Sequence, residues 1–319
     1  MDKPITDIAQ VTPAWPTTPE IDSEVLQFWQ LSPVSSINEG SHNQHWLVKT
    51  PQGSELVLRR YMANHFAGLD YEFAVMRRLH DVGWPVPVLE EAPIDHGGRT
   101  WCLLTKLPGV SNTVKDRDEQ RRRGRLLAEL HESTKELTDL GQRTGFLFPN
   151  AILSDPSLMA AIKKYEAIRP DIGYILRWYI ERAVEQLMTL DLESADKLVL
   201  HSDLIASNIL YDDDDELSGI LDFEATHLNV RVADFALSWR GCYDEVIHGY
   251  EEVHKLNDID WQLLVPTFWS WLFIGVGNLI ELASQEELRQ VDFTWQIKLL
   301  TRRSELFGDL IEPFPGQAQ

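Results

Sequence analysis

The chain has 319 residues, with 29 Lys and Arg against 50 Asp and Glu, so its formal net charge is −21. Apolar residues make up 44% and charged residues 25%, which excludes a disordered or fibrous chain, and the length suits about two lobes over a buried core. The acid excess excludes a general nucleic-acid binder, which needs a basic footprint, and the distant Cys102 and Cys242 form no disulfide, zinc or redox framework.

Residues 1–33 read as an irregular or helical lead-in; the first twenty hold four prolines and no apolar run, so no signal peptide is expected. Residues 45–50 (HWLVKT) and 55–61 (ELVLRRY), around the turn at 51–54, predict a β-hairpin. Leu69, Phe73, Met76 and Leu79 recur at helical spacing, and Gly83, Pro85 and Pro87 end that helix. Residues 101–106 (WCLLTK) read as a buried strand closed by Pro108-Gly109. Leu126, Leu130 and Leu137 mark one helix, and Leu176, Ile180, Ala183 and Leu187 another. Strand-like pieces follow at 197–200, 208–211 and 217–223, the last two joined by the acidic turn 212–215, a solvated turn by composition. After Asp234 the pattern is helical to the end.

Residues 261–280 carry no charge and reach the roughly 20 residues of a membrane span, but Pro266, Gly275, Gly277 and Asn278 favour a buried core helix. A soluble, cytoplasmic protein without a membrane partner is therefore expected. The expected fold class is α+β: a small N-terminal lobe with an antiparallel sheet over residues 1–107, then a larger, mainly helical C-terminal lobe over 108–319.

The chemistry concentrates in HSDLIASN, residues 201–208, where His201, Asp203 and Asn208 have the spacing H-x-D-x-x-x-x-N, followed fourteen positions later by Asp222 in ILDFE. Phosphoryl transfer from a nucleotide needs such parts: a carboxylate to take the acceptor proton, and oxygen ligands to hold a divalent cation on the phosphates. No H-E-x-x-H, C-x-x-C, G-x-S-x-G or G-x-x-x-x-G-K-[ST] occurs, so zinc-protease, redox, hydrolase and P-loop chemistries lack their motifs.

On these residues the chain resembles the aminoglycoside phosphotransferase, choline kinase and homoserine kinase-like small-molecule kinases over residues 34–240. The resemblance implies a two-lobed protein-kinase-like fold with ATP and Mg2+ as cofactors. It implies transfer of the γ-phosphate to a hydroxyl of a small molecule. In the catalytic set, Asp203 is implied as the base and His201 as the support of its loop, with Asn208 and Asp222 as metal ligands and Asp234 as a structural aspartate. Glu224 is either an acidic replacement for a DFG-like glycine or a solvated strand end. Ser202 departs from the glycine usual in the group.

For the nucleotide, Arg59 would pair with Glu72 and hold phosphate, an arginine where lysine is usual; Lys49 is the alternative cation, and Arg60 would point away to solvent. Gly40 and Ser41, with Asn43 behind them, would form the phosphate-covering loop. Residues 104–107, including Leu104 and Lys106, would form an inter-lobe hinge meeting adenine. A protein kinase fits poorly, since only eleven residues separate Asp222 from Asp234 and leave no activation loop. For the acceptor, Trp239, Tyr243, Trp261, Trp269 and Trp271, with an acidic rim of Glu245, Glu251 and Glu252, would favour a cationic molecule; core packing and ordinary surface are the alternatives. A homoserine- or choline-type kinase and a non-catalytic nucleotide-binding pseudokinase are the rival readings.

Overall fold

The computed structural model of the chain describes residues 20–37, 43–61, 68–111, 116–312 and 314–315. After α1 (Ser23–Phe28), β1 (Ser32–Ile37), β2 (Asn43–Lys49) and β3 (Glu55–Tyr61) run into α2 (Leu69–Asp81), followed by β4 (Ile94–His96) and β5 (Arg99–Thr105). The strands form one antiparallel sheet in the order β1-β2-β3-β5-β4.

Strand alternation sorts the two faces of this sheet. Trp46, Val48, Leu56, Leu58, Trp101 and Leu103 form a small core with Val25 of α1. Tyr61, Cys102 and Leu104 join the main core with Phe73, Met76 and Leu79 of α2. Arg59 thus shares the α2 side of β3 with Tyr61, while Arg60 turns to the other face. There Arg60 lies over the Trp46 and Trp101 rings, 5.3 and 4.8 Å from their centroids, and bonds Gln44, so it caps the small core instead of being solvated.

The chain continues through β6 (Val110–Ser111), α3 (Arg117–Thr134), α4 (Pro149–Leu153), α5 (Pro156–Ile168) and α6 (Pro170–Leu187). Next come β7 (Lys197–Leu200), β8 (Ile209–Tyr211), β9 (Leu217–Ile220) and β10 (His227–Val230). It ends with α7 (Phe235–Trp239), α8 (Asp244–Val253), α9 (Asp258–Leu282), α10 (Thr294–Leu300), β11 (Arg303–Ser304) and β12 (Gly308–Asp309). Leu137 lies beyond α3, in a 3-10 segment over Lys135–Leu140. The β11–β12 hairpin corrects the expectation of helix to the end. β10, which pairs antiparallel with β7, was not expected either.

β6 pairs with β8, and β8 with β9, so the chain is fastened to the helical part four residues after β5 ends. Gly109 makes this possible: at φ +95°, a Cβ there would lie 2.5 Å from the Tyr211 carbonyl oxygen. α9 opens on a reciprocal Asn257–Asp260 capping box. By length and composition α9 could cross a membrane, but 72% of its most apolar window is buried, with Phe268, Trp269 and Phe273 in the core. It packs as the core helix that its glycines and proline predicted.

Candidate active site

The segment 201–208 hangs on one buried carboxylate. Asp234 Oδ2 accepts the His201 N–H (2.9 Å) and Oδ1 the Ser202 N–H (2.6 Å), while His131 Nε2 lies 3.0 Å from Oδ2. His131 Nδ1 in turn meets the Tyr250 hydroxyl at 2.9 Å, so the loop is referred back to α3 and α8. Burial alone would raise the Asp234 pKa, but the His131 contact and the backbone donor hold it below the usual carboxylate value. Ser202 adopts φ +69°, the left-handed conformation in which the glycine usual at this position carries no penalty.

That turn sets Asp203 and Asn208 side by side. Asn208 Nδ2 donates to the Asp203 carbonyl (2.9 Å) and to its Oδ2 (3.0 Å). His201 Nδ1 accepts the Asp203 N–H at 3.2 Å, leaving Nε2 to donate to the Leu221 carbonyl at 3.0 Å. His201 is thus a positioning residue, spent at both nitrogens on backbone, and burial lowers its pKa. Leu221 N–H also bonds the Asn208 carbonyl at 2.8 Å, which brings Asp222 beside the loop, at φ +68°.

The Asp203 carboxyl is pushed up to about 7, first by burial and then by the neighbouring Asp222 charge, against the Asn208 hydrogen bond and Arg240. Because both Asn208 amide hydrogens go to Asp203, its Oδ1 remains for a cation. With the Asp222 carboxylate this is a hard-oxygen donor pair, which fits Mg2+. Among the described residues no three His, Cys, Asp or Glu side chains form a metal cluster.

On the sheet side, Arg59 is 5% exposed and Glu72 fully buried. Arg59 Nη1 donates to Glu72 Oε1 at 3.1 Å, and the Tyr61 hydroxyl donates to the same oxygen at 2.9 Å. Arg59 Nη2 donates to Glu224 Oε2 at 2.8 Å and lies 3.5 Å from Asp222 Oδ1. Burial would depress the Arg59 pKa, but these anions together raise it; burial, opposed by Arg59, raises that of Glu72. Glu224 is therefore no solvated strand end: it also accepts a hydrogen bond from Asn43 Nδ2. Lys49 instead pairs with Glu55 at 3.5 Å.

Other expected positions move. Gly40 and Ser41 lie outside the described residues. Leu104 is a core residue paired with Val57 inside the sheet, with Leu103 and Thr105 bonded to Glu90 and Val88 on the other edge, so its backbone is committed. The Lys106 ammonium turns out to Glu55 at 2.7 Å. Trp239 and Trp269 are buried core. Glu245 bonds Arg117 (2.7 Å) and Arg121 (3.1 Å), Glu252 bonds Arg121 and Arg125, and Glu251 bonds Lys255, so each of these acids has a cationic partner, and Glu251 and Glu252 line a cavity with Trp261. Asp215 of the acidic turn is exposed and pairs with Arg122.

Two positions escaped sequence reasoning. Arg143, 2% exposed, donates from Nη1 to the Glu224 (2.8 Å) and Thr226 (2.9 Å) carbonyls, fixing the segment after Asp222. Arg240, which faces Asp203 electrostatically, sits at φ +51° after α7. Both lie on irregular backbone, where no periodicity marks a side chain as inward.

The model of the phosphotransferase enzyme family matches residues 33–262. A search of curated protein sequences finds no match. Among solved structures, a spectinomycin phosphotransferase in complex with ADP and spectinomycin is similar at 14% identity and TM-score 0.57, over 86% of this chain and 94% of that one. An amicoumacin kinase in complex with AMP-PNP and Ca2+ is 14% identical with TM-score 0.59, over 85% and 87%. An aminoglycoside phosphotransferase from Alicyclobacillus acidocaldarius is 15% identical with TM-score 0.59, over 89% and 94%. These structures share the kinase-like fold: an antiparallel sheet beside a mostly helical part. With most of its length matched by the family's model, the chain belongs to the phosphotransferase enzyme family.

Proposed function

We propose that this small-molecule phosphotransferase moves the γ-phosphate of ATP, with Mg2+, to a hydroxyl of its acceptor. Residues 1–107 would form the nucleotide-binding lobe and 108–319 the lobe carrying the catalytic loop and acceptor site. The observation that carries this reading is the joint placement of Asp203, Asn208 and Asp222. Their two backbone turns converge through the Leu221–Asn208 and His201–Leu221 bonds. The ADP and AMP-PNP bound to structural neighbours support a nucleotide ligand.

In this reading Asp203 orients the acceptor hydroxyl and takes its proton as the acceptor oxygen bonds to the γ-phosphorus and the bond to the β,γ-bridging oxygen breaks. Asn208 and Asp222 would hold Mg2+, which supplies charge neutralisation on the β- and γ-phosphates. Arg59, oriented by Glu72, supplies a fixed cation for phosphate oxygens. The backbone beyond Thr105 would meet the base. The protein would work in the cytoplasm, where ATP and Mg2+ are at hand.

The test is ADP release with ATP and Mg2+ across amino-sugars, macrolides, choline and homoserine. Turnover by the wild type but not by Asp203→Ala or Asp222→Asn is expected. ATP binding without turnover on any acceptor would instead identify a nucleotide-binding module.

A further inference from the structure

Arg59 is surrounded by more anion than a phosphate-holding cation needs. Nη1 is given to Glu72, and Nη2 to Glu224 with Asp222 nearby, all with the Arg59 side chain 6% exposed. Glu72 approaches from α2 and is wholly buried, so it is a fixed partner. Glu224 differs. It stands on the segment after β9 and reaches across to the sheet, where it holds both Arg59 and Asn43 at the start of β2. Arg59 Nε is buried with no hydrogen-bond partner among the described residues, so a donor of this cation is still unspent.

We propose that Glu224 is the resident anion of the phosphate seat: its carboxylate occupies Arg59 Nη2 in the nucleotide-free protein, and a nucleotide phosphate takes that place. The inference rests on the nucleotide-binding reading above and adds to it a residue that sets nucleotide affinity. Two anions cannot both take one buried N–H at close range without mutual repulsion. Phosphate therefore binds at the cost of the Glu224 contact, and a divalent cation, which attracts both anions, relieves the competition. An arginine favours this arrangement more than a lysine would, since its planar fork holds Glu72 and a second anion at once on separate nitrogens.

The experiment is calorimetric titration of ADP in EDTA, and again with Mg2+, into wild type, Glu224→Gln and Asn43→Ala. Glu224→Gln keeps the shape and removes the charge, and Asn43→Ala removes the second tether of Glu224. The expected result is metal-free ADP binding about tenfold tighter in Glu224→Gln. A smaller gain is expected in Asn43→Ala, and a smaller Mg2+ enhancement in Glu224→Gln than in wild type. Metal-free affinity equal to or weaker than wild type in Glu224→Gln overturns the inference, and would leave Glu224 as a metal ligand or a structural strut. Should Glu224→Gln not fold, absence of any gain in Asn43→Ala overturns it equally. If wild type binds no nucleotide even with Mg2+, the nucleotide reading itself falls and this inference with it.

Discussion

Asp203 carries two opposing demands. As the proposed base it must be ionised to work, yet burial and Asp222 hold its carboxyl at about 7. The kcat/KM of the free enzyme should therefore rise with pH through about 7 and level off above it. A flat profile across that range would remove Asp203 from the role. The stability sign is the reverse. A carboxyl with a folded-state pKa above its unfolded value contributes fully below the unfolded value, and that contribution is lost as the pH rises through about 7. Asp203→Asn, permanently neutral, should raise the melting temperature relative to wild type more at about pH 8 than at about pH 4, while lowering kcat about 10²–10⁴-fold. Asp203, Asn208 and Asp222 were legible because their chemistry is written in fixed spacing. Arg59 and Glu72 were legible through the resemblance, which implies a cation on the third strand paired with a helix carboxylate; the helical period alone would leave Glu72 at the surface. The partners of Glu224 were not, since Asn43 and Arg59 lie 181 and 165 positions away. Only the folded chain brings them together.

At the scale of elements, α3 and α8 approach so closely that their backbones touch. A Cβ on Gly124 would lie 2.0 Å from the Val246 carbonyl oxygen, and one on Gly249 would lie 2.0 Å from that of Arg121. Neither neighbour is a flexible side chain, so Gly249→Ala should separate the helices and destabilise by about 1–3 kcal/mol or more. It should also loosen Asp234 through Tyr250 and His131. Gly275 in α9 is the counterpart: it is exposed, and a Cβ there would meet nothing within 4 Å, so Gly275→Ala should stabilise by about 0.5–1 kcal/mol. Thermal melts of the two variants shifting in the same direction would refute this account of helix packing. The long periodic helices and the hairpin were readable from sequence because each repeats its signal over several turns or pairs. β10, β6 and the β11–β12 hairpin were not, because two to four residues give alternation too little length to register. The partners of Glu245 and Glu252 were not readable either, because nothing local reveals that three arginines of α3 stand opposite.

At the scale of the whole molecule, charged contacts tie the sheet to the helical part. Arg59 reaches Asp222 and Glu224, and Arg78 of α2 reaches Asp139 beyond α3. A nucleotide lodged between the two should raise the melting temperature with ligand concentration, adding about 2.7 kcal/mol at a hundredfold excess over Kd. No dependence on MgATP concentration in a melting series would argue against a ligand seated there.

The four residues from Lys106 to Gly109 bear on how such a ligand enters and leaves. They are gripped at one end by β5 and at the other by the β6–β8 pair, and Gly109 fits against Tyr211 with no room for a methyl group. A tether so short, clamped at both ends, permits pivoting but little translation of one part over the other. Product escape would then be governed by the swing about this stub. Splicing a few extra glycines into it should change how fast spent nucleotide departs while sparing the bond-breaking step itself.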